Sequence, residues 1–462
     1  MTVRDYINSK RDVFLSDLKR LVEINSVRTQ AKPLMPFGEG GAAALKEMEK
    51  ILSEHGYKAE NYGNYAVEAD LGKSPCLMLL AHLDVVPEGD GWTKEPYKLT
   101  VEGDIAYGRG TTDDKGAALA CLLAMDACRE VYGEPEKGVR LVAGSGEETG
   151  SEDMDYYFSV RPALQYTLSP DADYPLINIE KGRFAPHFVK KIPCEGEKRV
   201  VEIDGGDTDN IVPGKAYAVL EGFDENEIKT LAAKTAENTK TEIVCEKSGG
   251  QTRVLVKGQS AHAANPQLGI NAQTALLELI SALKPDDKSF TAAVNGLLEL
   301  FPHNETDGAS AGVKMSDKES GALTLNFGVM KYDGETLLCG LDLRCPLCAD
   351  ESNVKEVLRD KLSHIGFEYE GEPEMRPAHY VSEDSPLVKT LLGVYEKHTG
   401  QKGECLAIGG GTYVHDIDGG VAFGIEFPGK DYRIHGADEY CDINEMLLTA
   451  AMYADVIREL CY

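Results

Sequence analysis

The sequence predicts an α/β protein: a three-layer host domain whose chain is interrupted by an inserted α+β domain. Three observations predict it. Short apolar runs at 75–81, 138–143 and 164–168 alternate with helical patterns at 42–56 and 117–132, as expected for strands covered on both faces. The middle of the chain differs, with short strand candidates at 200–203, 216–220, 241–245 and 253–256 and helices at about 225–237 and 271–283. From about residue 386 long helical patterns return, at 387–398 and 444–460, around glycine-rich loops. The expected boundaries are therefore 1–183 and 380–462 for the two parts of the host domain, with 184–379 inserted between them.

Each element has its own local reason. Ile7, Val13, Phe14, Leu18, Leu21 and Val22 fall near helical spacing, which predicts one opening amphipathic helix. Residues 75–81 have the length and apolar character of a buried strand, and in such sheets ligand groups gather at the carboxyl ends. In the insertion, segments 323–331 and 335–344 flank Asp333-Gly334, a strong two-residue hairpin signal. On the second of these strands Leu341, Leu343 and Cys345 alternate with Gly340, Asp342 and Arg344, giving one greasy face and one that carries an ion pair. Residues 354–364 read as a covering helix.

Composition excludes several classes. A formal net charge of −29 rules out a general nucleic-acid binder, because phosphate neutralisation needs a cationic surface. It also disfavours docking on anionic lipid. The longest apolar stretches, such as 76–86, are broken by His82 and Asp84 and fall short of the ~20 residues that span a bilayer, so no membrane partner is expected. The first twenty residues interleave charge with apolar side chains and contain no secretory apolar core. Eleven cysteines, an odd number scattered through a long chain, make no disulfide framework and point to a reducing, cytoplasmic setting. Cys345 and Cys348 form a C-x-x-C without a second pair at zinc-ribbon spacing.

Five short segments carry chemistry. His82-Leu-Asp84 follows the first strand, and residues i and i+2 of a strand face the same way. The others are Gly108-Arg-Gly-Thr-Thr-Asp113-Asp114-Lys115-Gly116 ahead of the apolar helix, Gly146-Glu147-Glu148 after a strand, Asp171 in Ser169-Pro-Asp-Ala-Asp173, and His435-Gly-Ala-Asp438-Glu439. Adjacent residues on an extended chain point apart, so Glu147 and Glu148 can take two jobs. Two divalent ions bring four positive charges, and three carboxylates with a bridging hydroxide would bring the pair near neutrality with neutral imidazoles.

In this order the segments resemble the co-catalytic zinc peptidase family that includes carboxypeptidase G, aminoacylase, the succinyl-diaminopimelate desuccinylases, carnosinase and the PepV-type dipeptidases. The resemblance implies a zinc-peptidase catalytic domain split by a lid domain. It implies that His82 and Asp171 bind one metal, Glu148 and His435 the other, and Asp113 both. Asp84 would orient His82 and Glu147 would be the general base. Gly258-Gln-Ser-Ala-His262 resembles the family's G-x-S-A-H segment and makes His262 the oxyanion stabiliser. Arg344 and Asn210, in Asn-Ile-Val-Pro213, become lid residues that hold substrate, with Gly410, Gly411 and Thr412 of Gly409-Gly-Gly-Thr-Tyr413. The Ser-Pro-Asp-Ala-Asp-Tyr-Pro and Gly-Gly-Gly-Thr-Tyr runs are closest to the PepV type, although Val414-His415 follows where a small residue and arginine are usual. That branch implies a cis peptide between Asp113 and Asp114 and an enlarged lid that replaces a partner subunit, hence a monomer. The expected activity is hydrolysis of unblocked dipeptides by a hydroxide activated by two Zn²⁺, with Mn²⁺ or Co²⁺ as substitutes. The alternative is an N-acyl amino-acid amidohydrolase or desuccinylase.

Overall fold

A computed structural model describes all 462 residues, which form two compact units. Unit one comprises residues 1–179, 380–406 and 411–462, and unit two residues 180–379 and 407–410.

In unit one the central sheet runs in the order Ala59–Tyr62, Ala66–Leu71, Gly138–Gly144, Pro75–His82, Tyr166–Ser169, Val421–Ala422, Ile177–Glu180. Gly138–Gly144, Pro75–His82, Tyr166–Ser169 and Val421–Ala422 are mutually parallel, so their carboxyl ends open on one edge. The Pro75–His82 strand shows why this chain folds as three layers. Leu77, Leu79 and Ala81 join one apolar cluster while Met78 and Leu80 join another, each fully buried. Helices Lys115–Tyr132 and Ile443–Cys461 cover the first face, and Met154 and Tyr157 of Glu152–Val160 cover the second. Burying each Leu here contributes roughly 1.5–3 kcal/mol. No helix is long and apolar enough to cross a membrane.

Unit two is an antiparallel sheet, with Gln251–Lys257, Lys215–Glu221, Arg199–Gly205, Thr324–Tyr332 and Thr336–Cys345 as consecutive neighbours. Helices Glu225–Thr239, Ala272–Leu283, Lys288–Leu300 and Glu356–His364 share one core with it. This is the α+β insertion.

Some local expectations change. The opening helix is two, Val3–Ser9 and Arg11–Val22, broken at Lys10, and Val13 is exposed. The hairpin loop is longer than two residues: Tyr332 pairs with Leu337, and the Asp333 carboxylate accepts from the amides of Glu335 and Thr336. Toward the carboxyl end of Thr336–Cys345 both faces are buried, Asp342 fully and Arg344 nearly so, alongside Leu341 and Leu343. The predicted 354–364 helix begins with a wider turn, Glu351–Lys355, before the regular Glu356–His364.

Candidate metal centre and active site

The three parallel strand ends deliver one imidazole and three carboxylates. His82 is the last residue of Pro75–His82, Glu147 and Glu148 follow Gly138–Gly144, and Asp171 follows Tyr166–Ser169. Asp113 stands ahead of the Lys115–Tyr132 helix, across a cis peptide from Asp114. His435 arrives from a loop between Ile425–Glu426 and Tyr440–Asp442, in left-handed backbone with φ of 60°.

Asp113 turns its two oxygens to two different partners. His82 Nε2 lies 2.9 Å from Asp113 Oδ1 and 3.7 Å from Asp171 Oδ2. His435 Nε2 lies 2.9 Å from Asp113 Oδ2 and 3.1 Å from Glu148 Oε1. Two groups of ligand atoms therefore converge, His82–Asp113–Asp171 and Asp113–Glu148–His435, with one carboxylate common to both. Despite their closeness, His82 Nε2 and Asp113 Oδ1 are buried and share no well-directed hydrogen bond. Lone pairs gathered in this way, on imidazole nitrogen and carboxylate oxygen, suit a pair of borderline or hard divalent cations.

The electrostatics point the same way. Burial pushes the carboxyls of Glu147 and Glu148 up, and Asp171 up to about 7, with the neighbouring acids adding to the effect. Burial also opposes charge on His435, but Asp113 and Glu148 outweigh it and raise the imidazole to about 11. His82 is raised likewise against its burial, by Asp113 and Asp84. Asp113 is held below the usual carboxylate range, its burial outweighed by both imidazoles. A pocket that keeps protons on its imidazoles this strongly is one that cations stabilise.

Asp84 does more than its spacing suggested. His82 Nδ1 lies 3.1 Å from the Asp84 carbonyl oxygen and 3.4 Å from its carboxylate. That carboxylate, 1% exposed, accepts from the amides of Glu147 at 3.2 Å and Glu148 at 3.1 Å. Glu147 and Glu148 sit in a 3₁₀ turn, Glu147–Thr149, rather than on extended chain. Beneath this turn Asp153 accepts from the Ser145 amide and from the Tyr413 hydroxyl at 2.5 Å.

The lid candidates gather within unit two. Asn210 and His262 lie on touching segments: Ile211 and His262 form a β-bridge, and the Ala263 amide donates to the Asn210 carbonyl at 2.9 Å. His262 is exposed, and its Nδ1 accepts from the Ala264 amide at 3.1 Å. Arg344 is gripped by the fully buried Asp342 (Nε to Oδ1, 2.6 Å) and donates to the Gly409 carbonyl at 2.7 Å. Gly410 belongs to unit two, while Gly411 and Thr412 belong to unit one, where the Thr412 hydroxyl accepts from the Val414 amide.

Several groups at the centre had no role assigned from sequence. Asp114, fully buried, accepts from the His82 amide at 3.0 Å. Glu426 stands opposite Asp173 in a short parallel strand pair, and burial with Asp173 pushes it up to about 8. Glu439 accepts from four donors of the 109–113 loop. Asp114 and Glu439 stand inside quoted motifs and could have been singled out there. Glu426 carried no local signal, because only the strand pairing brings it near.

The rest of the chain supports the same assignment. A family model described as peptidase family M20/M25/M40 matches residues 78–459. The chain is 34% identical over 460 residues to YtjP of Bacillus subtilis, covering 98% of both proteins. It is 33% identical over 473 residues to the Beta-Ala-Xaa dipeptidase of Lactobacillus delbrueckii subsp. lactis, covering 100% of this chain and 98% of that one. Human carnosine dipeptidase 1 shares the fold at 14% identity, with a TM-score of 0.57 over 99% of this chain and 98% of its own. With its carboxylate-bridged ligand groups and this nearly end-to-end match, the chain belongs to peptidase family M20/M25/M40.

Proposed function

We propose that this protein is a metal-dependent dipeptidase that cleaves dipeptides with free amino and carboxyl ends. The observation that carries the reading is Asp113, whose two oxygens each face an imidazole–carboxylate pair, in a chain that matches a Beta-Ala-Xaa dipeptidase along its whole length. His82 and Asp171 would hold one divalent cation, Glu148 and His435 a second, and Asp113 both. Such ions supply a water ionised near neutral pH and a polarised substrate carbonyl. Zn²⁺ is our first choice from the mixed nitrogen and oxygen donors, with Mn²⁺ or Co²⁺ able to replace it.

The chain's own residues do the remaining work. Glu147 takes a proton from the attacking water and passes it to the departing amine. Asp84 holds the amides of Glu147 and Glu148 and so fixes that base. Because His262 Nδ1 already accepts a hydrogen bond, its neutral ring carries the proton on Nε2, the donor needed by an oxyanion. Arg344, pre-oriented by Asp342, has the planar fork that binds a substrate carboxylate, and Asn210, Gly410, Gly411 and Thr412 line the substrate backbone. Residues 184–379 act as the lid. Its size supports a monomer, and eleven free thiols support a cytoplasmic setting.

The test is Glu147→Ala. It should retain two ions per chain while kcat on Ala-Ala-type dipeptides falls by orders of magnitude, and unimpaired turnover would dispose of the base. Running the same panel with N-acetyl and N-succinyl amino acids separates the dipeptidase from an amidohydrolase of the same family.

A further inference from the structure

We infer that Glu439, with Arg109, is a positioning residue that sets the second metal site by tying the loop of Asp113 to the loop of His435. The inference rests on the metal reading above and goes beyond it. The two loops are more than 300 residues apart in sequence, yet each supplies a ligand group, so something must fix their spacing. Glu439 is four residues after His435 and fully buried. Its Oε2 accepts from Arg109 Nη1 at 2.8 Å and from the Gly110 amide at 3.0 Å. Its Oε1 accepts from the Thr112 amide at 3.0 Å and from the amide of Asp113 itself at 3.2 Å.

The clasp has further arms. The Gly108 amide donates to the Glu439 carbonyl at 3.0 Å, and the Thr112 hydroxyl to the Tyr440 carbonyl at 2.7 Å. Arg109 extends to the carbonyls of Pro87 and Glu88, just beyond Asp84, and stacks over Trp92. Asp438 points the other way and accepts from the Thr93 and Lys94 amides and the Thr93 hydroxyl. Adjacent carboxylates thus grip two different loops. The segment they anchor holds three non-glycine residues in left-handed backbone, Arg433, His435 and Asp438, a path that persists only where its surroundings impose it.

All four donors demand a full carboxylate. A glutamine amide keeps one acceptor oxygen and turns an NH₂ toward the other pair of N–H groups. Glu439→Gln should therefore loosen the Asp113–Glu148–His435 group, and it also removes one negative charge beside Asp113, whereas Arg109→Lys loosens the clasp with the charge unchanged. We expect Zn²⁺ affinity, measured by competition with a chromogenic chelator, to fall 10- to 100-fold for at least one of the two ions, as when other outer partners of ligands are lost. The melting temperature of the chelator-stripped protein should move far less than the Zn²⁺-induced rise in melting temperature. If Glu439 serves stability alone, the stripped protein melts lower while both ions bind as in wild type, and the inference is overturned. Wild-type protein that binds fewer than two ions would instead overturn the metal reading beneath it. Should Glu439→Gln not fold, Arg109→Lys decides: it replaces the fork by a single donor and should weaken one ion at least 10-fold, and unchanged affinity for both ions refutes the clasp.

Discussion

Asp84 separates two mechanisms that the H-x-D spacing alone would merge. If its main task is to orient His82, removing the carboxylate should loosen an ion and leave kcat intact once metal is resupplied; if it clamps the glutamate turn, which carries Glu148 as well as Glu147, kcat should stay low even in saturating metal. The geometry favours the clamp, since the imidazole's nearer partner is a main-chain carbonyl that substitution leaves intact. Asp84→Ala deletes two hydrogen bonds from amides to a buried carboxylate. At about 1.5 kcal/mol each, the low end for bonds to a charged group, the loss is about 3 kcal/mol of restraint on Glu147 and Glu148. Expressed wholly in the chemical step, that is roughly 100-fold in kcat. Asp84→Asn should fall between, because one oxygen remains as an acceptor while the NH₂ opposes the second amide. The assay is steady-state dipeptide hydrolysis in saturating Zn²⁺, with metal content measured after dialysis. A variant that loses an ion on dialysis but regains wild-type kcat when metal is resupplied would refute the clamp.

Three further outcomes follow from the same structure. A methyl group at Gly144 would overlap both the Tyr413 hydroxyl and the Asp153 carboxylate, so Gly144→Ala should cost about 1–3 kcal/mol in urea unfolding and lower kcat by displacing the glutamate turn. His262→Ala should lower kcat by about 10²–10³ with little change in KM; an effect confined to KM would remove its oxyanion role. Away from the site, His55 bridges Asp126 and Asp17 on two helices, and these partners raise it to about 9 from an unfolded value of 6.5. Its contribution is complete below pH 6.5 and lost as pH rises through 9, a decline of about 3 kcal/mol between pH 6 and 10. Denaturant titrations of wild type minus His55→Gln should trace that decline, and parallel curves would refute it.

Much of this was legible because peptidase chemistry concentrates its groups at strand ends. An apolar run ending in His82, and a glycine-flanked Glu147-Glu148 after another, declare both a sheet and an edge. Where the reading stopped, the missing information was tertiary. Lys10 breaks the first helix although no glycine or proline marks it, and the apolar spacing continues through it. Asp342 and Arg344 read as the charged face of a strand, but both are buried, paired with each other and bonded onward to Arg183 and the Gly409 carbonyl. Glu426 becomes part of the acidic centre only by pairing opposite Asp173.

The Val421–Ala422 strand lies between two strands made some 250 residues earlier, Tyr166–Ser169 and Ile177–Glu180. During synthesis, then, the sheet beside Asp171 stays incomplete until residues 421 and 422 have emerged, and His435 comes later still. A nascent chain that stops short of these residues lacks both the strand beside Asp171 and the imidazole of the Asp113–Glu148–His435 group, so the order of residues places closure of this sheet and of that group after the first 420 residues.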